Sequence, residues 1–213
     1  MRYTHIIWDF NGTLFDDVLA GIESVNDMLY RRGYKVLSGK EKYREVFRFP
    51  IIEYYRALGF DFDKEPYEVL APEWVALYNE YSKHSRLQRG ATEALSFFSE
   101  RGISQILLSA TELEMLKGQI SQLGIDGYFS EVMGLGNIHA YSKKELALRW
   151  REKEPDARPI IIGDTTHDAE VARAIGADCV LVCNGHQSET TLRRCGFAVF
   201  DDLRAAVRYI EKK

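Results

Sequence analysis

The stretch HIIWDFNGTLFDD, residues 5–17, decides how the chain reads. A short apolar run, Ile6-Ile7-Trp8, ends on an acid, Asp9, and Asn11 and a Gly12-Thr13 turn follow. An acid at the end of a buried strand, just before a glycine turn, marks a candidate reactive site. The stretch also raises a question: why position 11 holds Asn rather than a second acid.

Runs of the same kind recur at 104–109, 131–134, 159–163, 179–182 and 197–200. They are nearly unbroken apolar stretches, as expected of strands buried on both faces of a parallel sheet. Helical patterns alternate with them. Ala91, Ala94, Leu95 and Phe98 mark one face, with Gly102 at its stop. Thr111 and Glu114 have capping-box spacing before Leu113, Leu116, Ile120 and Leu123, and Ser142 and Glu145 repeat that spacing. Leu203, Ala206, Val207 and Ile210 stripe the last helix. The alternation predicts an α/β fold, a Rossmann-like parallel sheet with right-handed crossovers.

Residues 16–86 break the alternation, because no strand pattern is visible there. Val18, Ile22, Val25 and Leu29 repeat at helical spacing and stop at Arg31-Arg32-Gly33. Ser38 and Glu41 open a second helix, Pro50–Leu58 reads as a third with Gly59 after it, and Trp74, Tyr78 and Tyr81 stripe a fourth. The expected organisation is an α/β core over 1–15 and 87–213 with a helical cap inserted at 16–86. The insert holds 13 of the 26 aromatic residues. A small helical unit needs large side chains to fill its core, and an aromatic-lined substrate cover would use the same residues.

The 213 residues allow one large domain with a smaller insertion. A net charge of −4 leaves no broad basic field for nucleic acid. No apolar run approaches the roughly 18 residues of a membrane helix, and the start lacks the apolar stretch of a signal peptide. A cytoplasmic location and no membrane partner are expected. Three cysteines, Cys179, Cys183 and Cys195, argue for reduced thiols rather than a disulfide framework.

In open α/β sheets ligands bind at the carboxyl ends of the strands. The groups expected there are Asp9, Asn11, Gly12 and Thr13 after the first strand, and Ser109, Ala110 and Thr111 after the second. Asp164, Thr165, Thr166, His167 and Asp168 follow the fourth, and Lys143 opens a helix. Each has a use if the substrate is a phosphate ester. A carboxylate can attack phosphorus and form an acyl phosphate. Carboxylate and phosphate repel, so a hard cation such as Mg2+ is needed, with oxygen ligands from carboxylates, a carbonyl and water. Asp9 and Asp164 supply carboxylates, and Asp168 can orient or assist. Lys143 can neutralise the phosphoryl group, and the Ser109 hydroxyl and amides at Gly12-Thr13 and at an Ala110 helix start can bind its oxygens.

These motifs resemble the haloacid dehalogenase superfamily. DFNGTL (9–14) is similar to its first signature, LLSAT (107–111) to its second, SKKE (142–145) to its third and GDTTHDAE (163–170) to its fourth. LQRGATEALSFFSERGI (87–103) resembles the stretch before the second signature, and the insert resembles the small helical cap of the phosphoglycolate-phosphatase and β-phosphoglucomutase branch. The resemblance implies a phosphatase acting on a small phosphorylated metabolite, with Asp9 as nucleophile. It implies Mg2+ held by Asp9, the backbone carbonyl of Asn11 and Asp164, with Asp168 supporting, and phosphate held by Ser109 and Lys143; Lys144 is the alternative lysine. Family phosphatases usually carry a second Asp at position 11, which protonates the leaving oxygen. Asn keeps the backbone carbonyl but exchanges no proton, and general acid–base help is worth roughly 10²–10⁴-fold. His167 is a candidate replacement. The alternative reading is a weakly active or inactive relative that binds a phosphorylated ligand or a protein partner, supported by Asn11 alone.

Overall fold

The structure, a computed structural model, describes residues 2–136 and 142–213. The elements run in the order β1 (His5–Trp8), β2 (Phe15–Asp16), α1 (Val18–Arg31), α2 (Lys40–Val46), α3 (Ile51–Ala57), α4 (Tyr67–Tyr81), β3 (Arg86–Leu87), α5 (Ala91–Ser99) and β4 (Ser104–Glu112). They continue as α6 (Leu113–Gln122), β5 (Glu131–Leu135), α7 (Lys143–Lys153), β6 (Pro159–Gly163), α8 (Thr166–Ile175), β7 (Asp178–Val182), α9 (Glu189–Arg193), β8 (Ala198–Phe200) and α10 (Leu203–Glu211).

Six strands form one sheet in the order β5-β4-β1-β6-β7-β8, every neighbouring pair parallel. The continuous apolar runs follow from burial on both faces. Along β1, Ile6 and Trp8 pack into one layer with Phe98 of α5 and Ile210 of α10. Ile7, between them, packs into the other with Trp150 of α7 and Ala172 of α8. Each such fully buried side chain contributes roughly 1.5–3 kcal/mol. The one polar atom this layer buries on Trp8 is satisfied: its indole N–H donates to Gln105 Oε1 at 2.9 Å.

Pairing of Trp8 with Leu107 on one side and Ile162 on the other sets the register of the site. It brings Asp9 level with the end of β6 and Phe10 level with Ser109. The chain leaves β1 toward β4 and β5, and leaves β6 toward β7 and β8, so the topology reverses between β1 and β6. Asp9 and Asp164 stand on either side of that reversal, where open α/β sheets form their ligand crevice.

Helices α1–α4 build a separate cluster from Val18, Ile22, Val25 and Leu29 on one face of α1 with Tyr43, Tyr54, Tyr55 and Leu70. Arg32 ties its end together, bridging Glu65 at 2.6 Å and Glu73 at 2.5 Å. A short antiparallel pairing of β2 with β3, Phe15 opposite Leu87 and Asp16 opposite Arg86, forms the stem through which the chain enters and leaves this helical segment.

Local expectations differ at three points. Thr111 does not cap α6: β4 runs on to Glu112, whose carboxylate accepts from the amides of Glu114 and Met115. Ala110 therefore lies inside β4, not at a helix start. Ser38 does not open α2, which starts at Lys40 behind Gly39. None of the helices among the described residues is long and apolar enough to cross a membrane.

Candidate active site

Asp9, Asp164 and Asp168 come together at the carboxyl ends of β1 and β6, each offering a carboxylate oxygen within 4.8 Å of the others. Two of them are joined by the Thr13 hydroxyl, which lies 2.8 Å from Asp164 Oδ1 and 3.3 Å from Asp9 Oδ2. Lys143 Nζ donates to Asp9 Oδ1 and, at 2.5 Å, to Asp168 Oδ1. The other oxygen of Asp168 caps α8, accepting from the Thr165 amide at 3.0 Å and hydroxyl at 2.7 Å. Lys143 is buried, whereas Lys144 is exposed. The structure thus separates the two lysines, and the buried one meets the acids.

The turn after Asp9 needs glycine. Gly12 has φ +74°, and a Cβ there would lie 2.6 Å from the His186 ring and 2.8 Å from Asp164 Cγ. The amides of this turn, expected to face phosphate, are engaged internally. Gly12 N–H donates to Asp17 Oδ1 at 2.8 Å and to the Phe15 carbonyl at 2.9 Å, and Thr13 N–H donates to the Phe10 carbonyl. A tight turn uses its own amides, and here the group of Thr13 that faces the acids is its hydroxyl. Ser109 Oγ lies 3.4 Å from Asn11 Oδ1 and donates to Thr111 Oγ1 at 3.0 Å. His167 sits away from Asn11, in α8, stacked on Phe49 with ring centroids 5.1 Å apart and paired with Glu170. No described contact joins it to Asn11.

Three site residues lie outside the sequence expectation: Asp17, Tyr78 and His186. Asp17 accepts from Asn11 Nδ2 at 2.7 Å and from the Tyr78 hydroxyl at 2.6 Å. His186 follows β7; its amide donates to Asp164 Oδ2 at 2.6 Å and its Nε2 lies 3.2 Å from Asp17 Oδ1. Inspection of strand ends, which locates the other groups, leads to His186 when it is applied to the end of β7 at Val182. Tyr78 belongs to an aromatic packing stripe, and nothing in its spacing marks the hydroxyl.

The helical segment closes directly on these groups. Tyr43 Oη is 2.7 Å from His186 Nδ1, Phe47 stacks on the same ring at 5.1 Å, and Arg44 donates to the carbonyls of Asn184 and Gly185 at 2.7 and 2.8 Å.

Electrostatics set this region apart. Among the described residues, the buried acids and bases are Asp9, Asp17, Asp164 and Asp168 against Lys143 and His186. Burial raises the Asp9 carboxyl well above its ordinary range, with Asp168 adding to the effect and Lys143 opposing it. Burial also raises Asp164. Asp168 is held below the usual range despite burial, by the Lys143 ammonium and the Thr165 hydroxyl. Burial opposes the charge on Asp17 too, but His186, Tyr78 and Asn11 hold it down. Asp17 in turn outweighs burial at His186 and pushes it up to about 9. With all four acids ionised against two charged bases, this buried site would carry two net negative charges, the deficit that one divalent cation would fill. The grouped carboxylates of Asp9, Asp164 and Asp168 and the Thr13 hydroxyl offer hard oxygens, the ligand type of Mg2+. The residues present therefore fit a divalent ion.

The sequence model of haloacid dehalogenase-like hydrolases matches residues 6–182. The chain belongs to this family. Among curated relatives of this haloacid dehalogenase-like hydrolase is a phosphoglycolate phosphatase of Pseudomonas fluorescens, 25% identical over 212 residues, which cover 95% of this chain and 78% of the relative. Another, from Rhodobacter capsulatus, carries the same name and is 24% identical, with 97% of this chain and 96% of the relative covered. Among solved structures, a haloacid dehalogenase-like family protein of Streptococcus pneumoniae superposes with a TM-score of 0.79 at 18% identity over 98% of each chain. A predicted phosphatase of Clostridium acetobutylicum also reaches 0.79, at 17% identity over 100% of each chain. These likenesses establish a haloacid dehalogenase-like α/β fold with a Rossmann-like parallel sheet.

Proposed function

We propose that the chain is a Mg2+-dependent phosphatase that hydrolyses a small phosphorylated metabolite through an aspartyl phosphate on Asp9, with residues 16–86 acting as a cap over a core formed by 1–15 and 87–213. The observation that carries this is the buried charge deficit at Asp9, Asp164 and Asp168, centred on an acid at the end of β1.

In this reading an Asp9 oxygen attacks phosphorus as the ester oxygen departs. Water then cleaves the aspartyl phosphate and restores the carboxylate. A divalent cation held by Asp9, Asp164 and the Asn11 carbonyl would supply the positive charge that lets carboxylate and phosphate approach. Lys143, already between Asp9 and Asp168, balances charge on the transferring phosphoryl group, and Asp168 holds Lys143 in place. Ser109 offers a hydroxyl to a phosphoryl oxygen. Tyr43, Phe47 and Arg44 exclude water when closed and must withdraw to admit substrate. Asn11 exchanges no proton, so turnover is slowest on esters with poor leaving groups.

The test is phosphate release over a panel of metabolites, with and without Mg2+, for wild type and Asp9→Asn. Because two relatives are named phosphoglycolate phosphatases, 2-phosphoglycolate heads the panel. Mg2+-dependent release that Asp9→Asn abolishes is the expected result. Unchanged release in Asp9→Asn overturns the mechanism. If no ester turns over while phosphate still binds, the alternative of a binding protein stands in its place.

A further inference from the structure

Asp17 stands immediately before α1, the position where an aspartate ordinarily caps its helix, yet its side chain makes no capping bond. It is 1% exposed and turned back toward the site. There it meets four donors. Asn11 Nδ2 and the Tyr78 hydroxyl reach Oδ2, and the Gly12 amide and His186 Nε2 reach Oδ1. A carboxylate offers about four lone-pair directions, so these donors fill it and leave no room for a proton of its own.

The partners also fix Asn11. Its nitrogen must face the acceptor-only Asp17, and it donates a second bond to the Tyr78 oxygen at 2.8 Å, so Asn11, Tyr78 and Asp17 form a closed ring. Its oxygen faces the Thr111 hydroxyl at 2.7 Å and Ser109 at 3.4 Å. Both sides of the amide are specified. An aspartate at position 11 would set acceptor against acceptor, with the single Tyr78 proton unable to serve both carboxylates.

We propose that Asp17 is a positioning residue matched to Asn11: it fixes the Asn11 amide and the Gly12 peptide of the turn that carries the nucleophile. Position 11 is Asn because position 17 is Asp. This inference rests on the phosphatase reading above. It has a consequence that a decayed acid site would not have. Restoring an acid by Asn11→Asp alone fails, whereas exchanging the pair, Asn11→Asp with Asp17→Asn, rebuilds the same ring with donor and acceptor reversed. The amide placed at position 17 would donate to the new carboxyl group and to the Tyr78 oxygen, while Tyr78 donates to that carboxyl group. The acid then gives its proton to the departing alkoxide as the P–O bond breaks and takes one back from the attacking water.

The experiment is a double-mutant cycle of wild type, N11D, D17N and N11D/D17N, measuring kcat on aryl and alkyl phosphate esters and unfolding in urea. Each single change is expected to lower kcat at least about tenfold on both ester types. The double variant is expected to recover aryl-ester turnover and to exceed wild type on alkyl esters by at least about tenfold, since acid help matters most there. A residue that merely stabilised the fold would not shift the leaving-group dependence. If N11D alone matches or exceeds the double variant on alkyl esters, the pairing is overturned. If neither single variant folds, the double variant decides: a folded double supports the pairing and an unfolded one overturns it. Asp9→Asn assayed alongside separates this outcome from failure of the phosphatase reading, because retained activity there removes the mechanism itself.

Discussion

Gly185→Ala tests the geometry of the acid cluster with one methyl group. Gly185 is not in a left-handed conformation, so the substitution probes space alone. A Cβ built there would lie 2.5 Å from Asp164 Cβ and nearer still to its carboxylate. Ordinary carbon contacts are about 3.5–4.0 Å, so Asp164 must retreat by about 1 Å. It cannot do so freely, because Oδ1 is held by Thr13 and Oδ2 by the His186 amide. Overpacking of this kind costs about 1–3 kcal/mol, which lowers Tm by several degrees in a chain of this size. A reacting group misplaced by about 1 Å loses roughly 10²-fold in rate. The expected phenotype is a folded, mildly destabilised protein with kcat down about 10²-fold and weakened Mg2+ binding. Gly118→Ala on the exposed face of α6, where a Cβ meets nothing within 4 Å, is the matched control. It should gain about 0.5–1 kcal/mol and leave kcat alone. Measurement is by urea unfolding, calorimetric Mg2+ titration and phosphate release. Gly185→Ala with wild-type kcat and Mg2+ affinity would refute the placement of Asp164 in the reaction.

Lys143→Ala removes the cation between Asp9 and Asp168 and should cost about 3–5 kcal/mol along with activity, while Lys144→Ala, one exposed residue later, should stay within about 0.5 kcal/mol in the same urea unfolding assay. Metal and pH should be linked. Burial raises the Asp9 and Asp164 carboxyls, so their contribution to stability is full below the ordinary carboxylate range near pH 4 and is lost as pH climbs through their raised values. A cation bound to the ionised forms offsets that loss, so the Tm increase produced by Mg2+ in thermal melts should be larger at about pH 7.5 than at about pH 5, and Asp164→Asn should abolish it.

The sheet was legible because parallel strands are buried on both faces and therefore read as unbroken apolar runs; all six runs became strands of one sheet. The helical segment was legible through the α1 stripe of Val18, Ile22, Val25 and Leu29. What escaped were features made by few residues or by distant partners. Strands β2 and β3 are two residues each and have no periodicity to detect. Thr111 has the spacing of a cap, but its hydroxyl goes to Asn11 and the neighbouring Glu112 takes the capping role. Asp17 looks like one more acid in FDD; its burial depends on Tyr78, 61 residues away, and His186, 169 residues away. A donor–acceptor ring closed across such separations leaves no local pattern.

Several local choices here run against what packing alone favours, and they converge on the same few atoms. Lys143 is the first residue of α7, where the helix dipole disfavours a cation by about 0.3–1 kcal/mol. Asp17 precedes a helix without capping it. Gly12 and Gly185 crowd Asp164, and Gly163 brings its backbone so close to Asp168 that a Cβ would lie 2.5 Å from the Asp168 Cβ. Each departure has a local cost and no benefit to the apolar core. Each becomes reasonable once the requirement is to hold acids at one point in a dry site with less positive charge than they need. Departures concentrated in this way are expected where function constrains a fold. They also bear on Asn11. A site that had lost its chemistry would be under no demand to keep Lys143, Thr13 and three glycines in register around its acids, nor to supply Asn11 with a partner of complementary hydrogen-bonding character at every polar atom of its side chain.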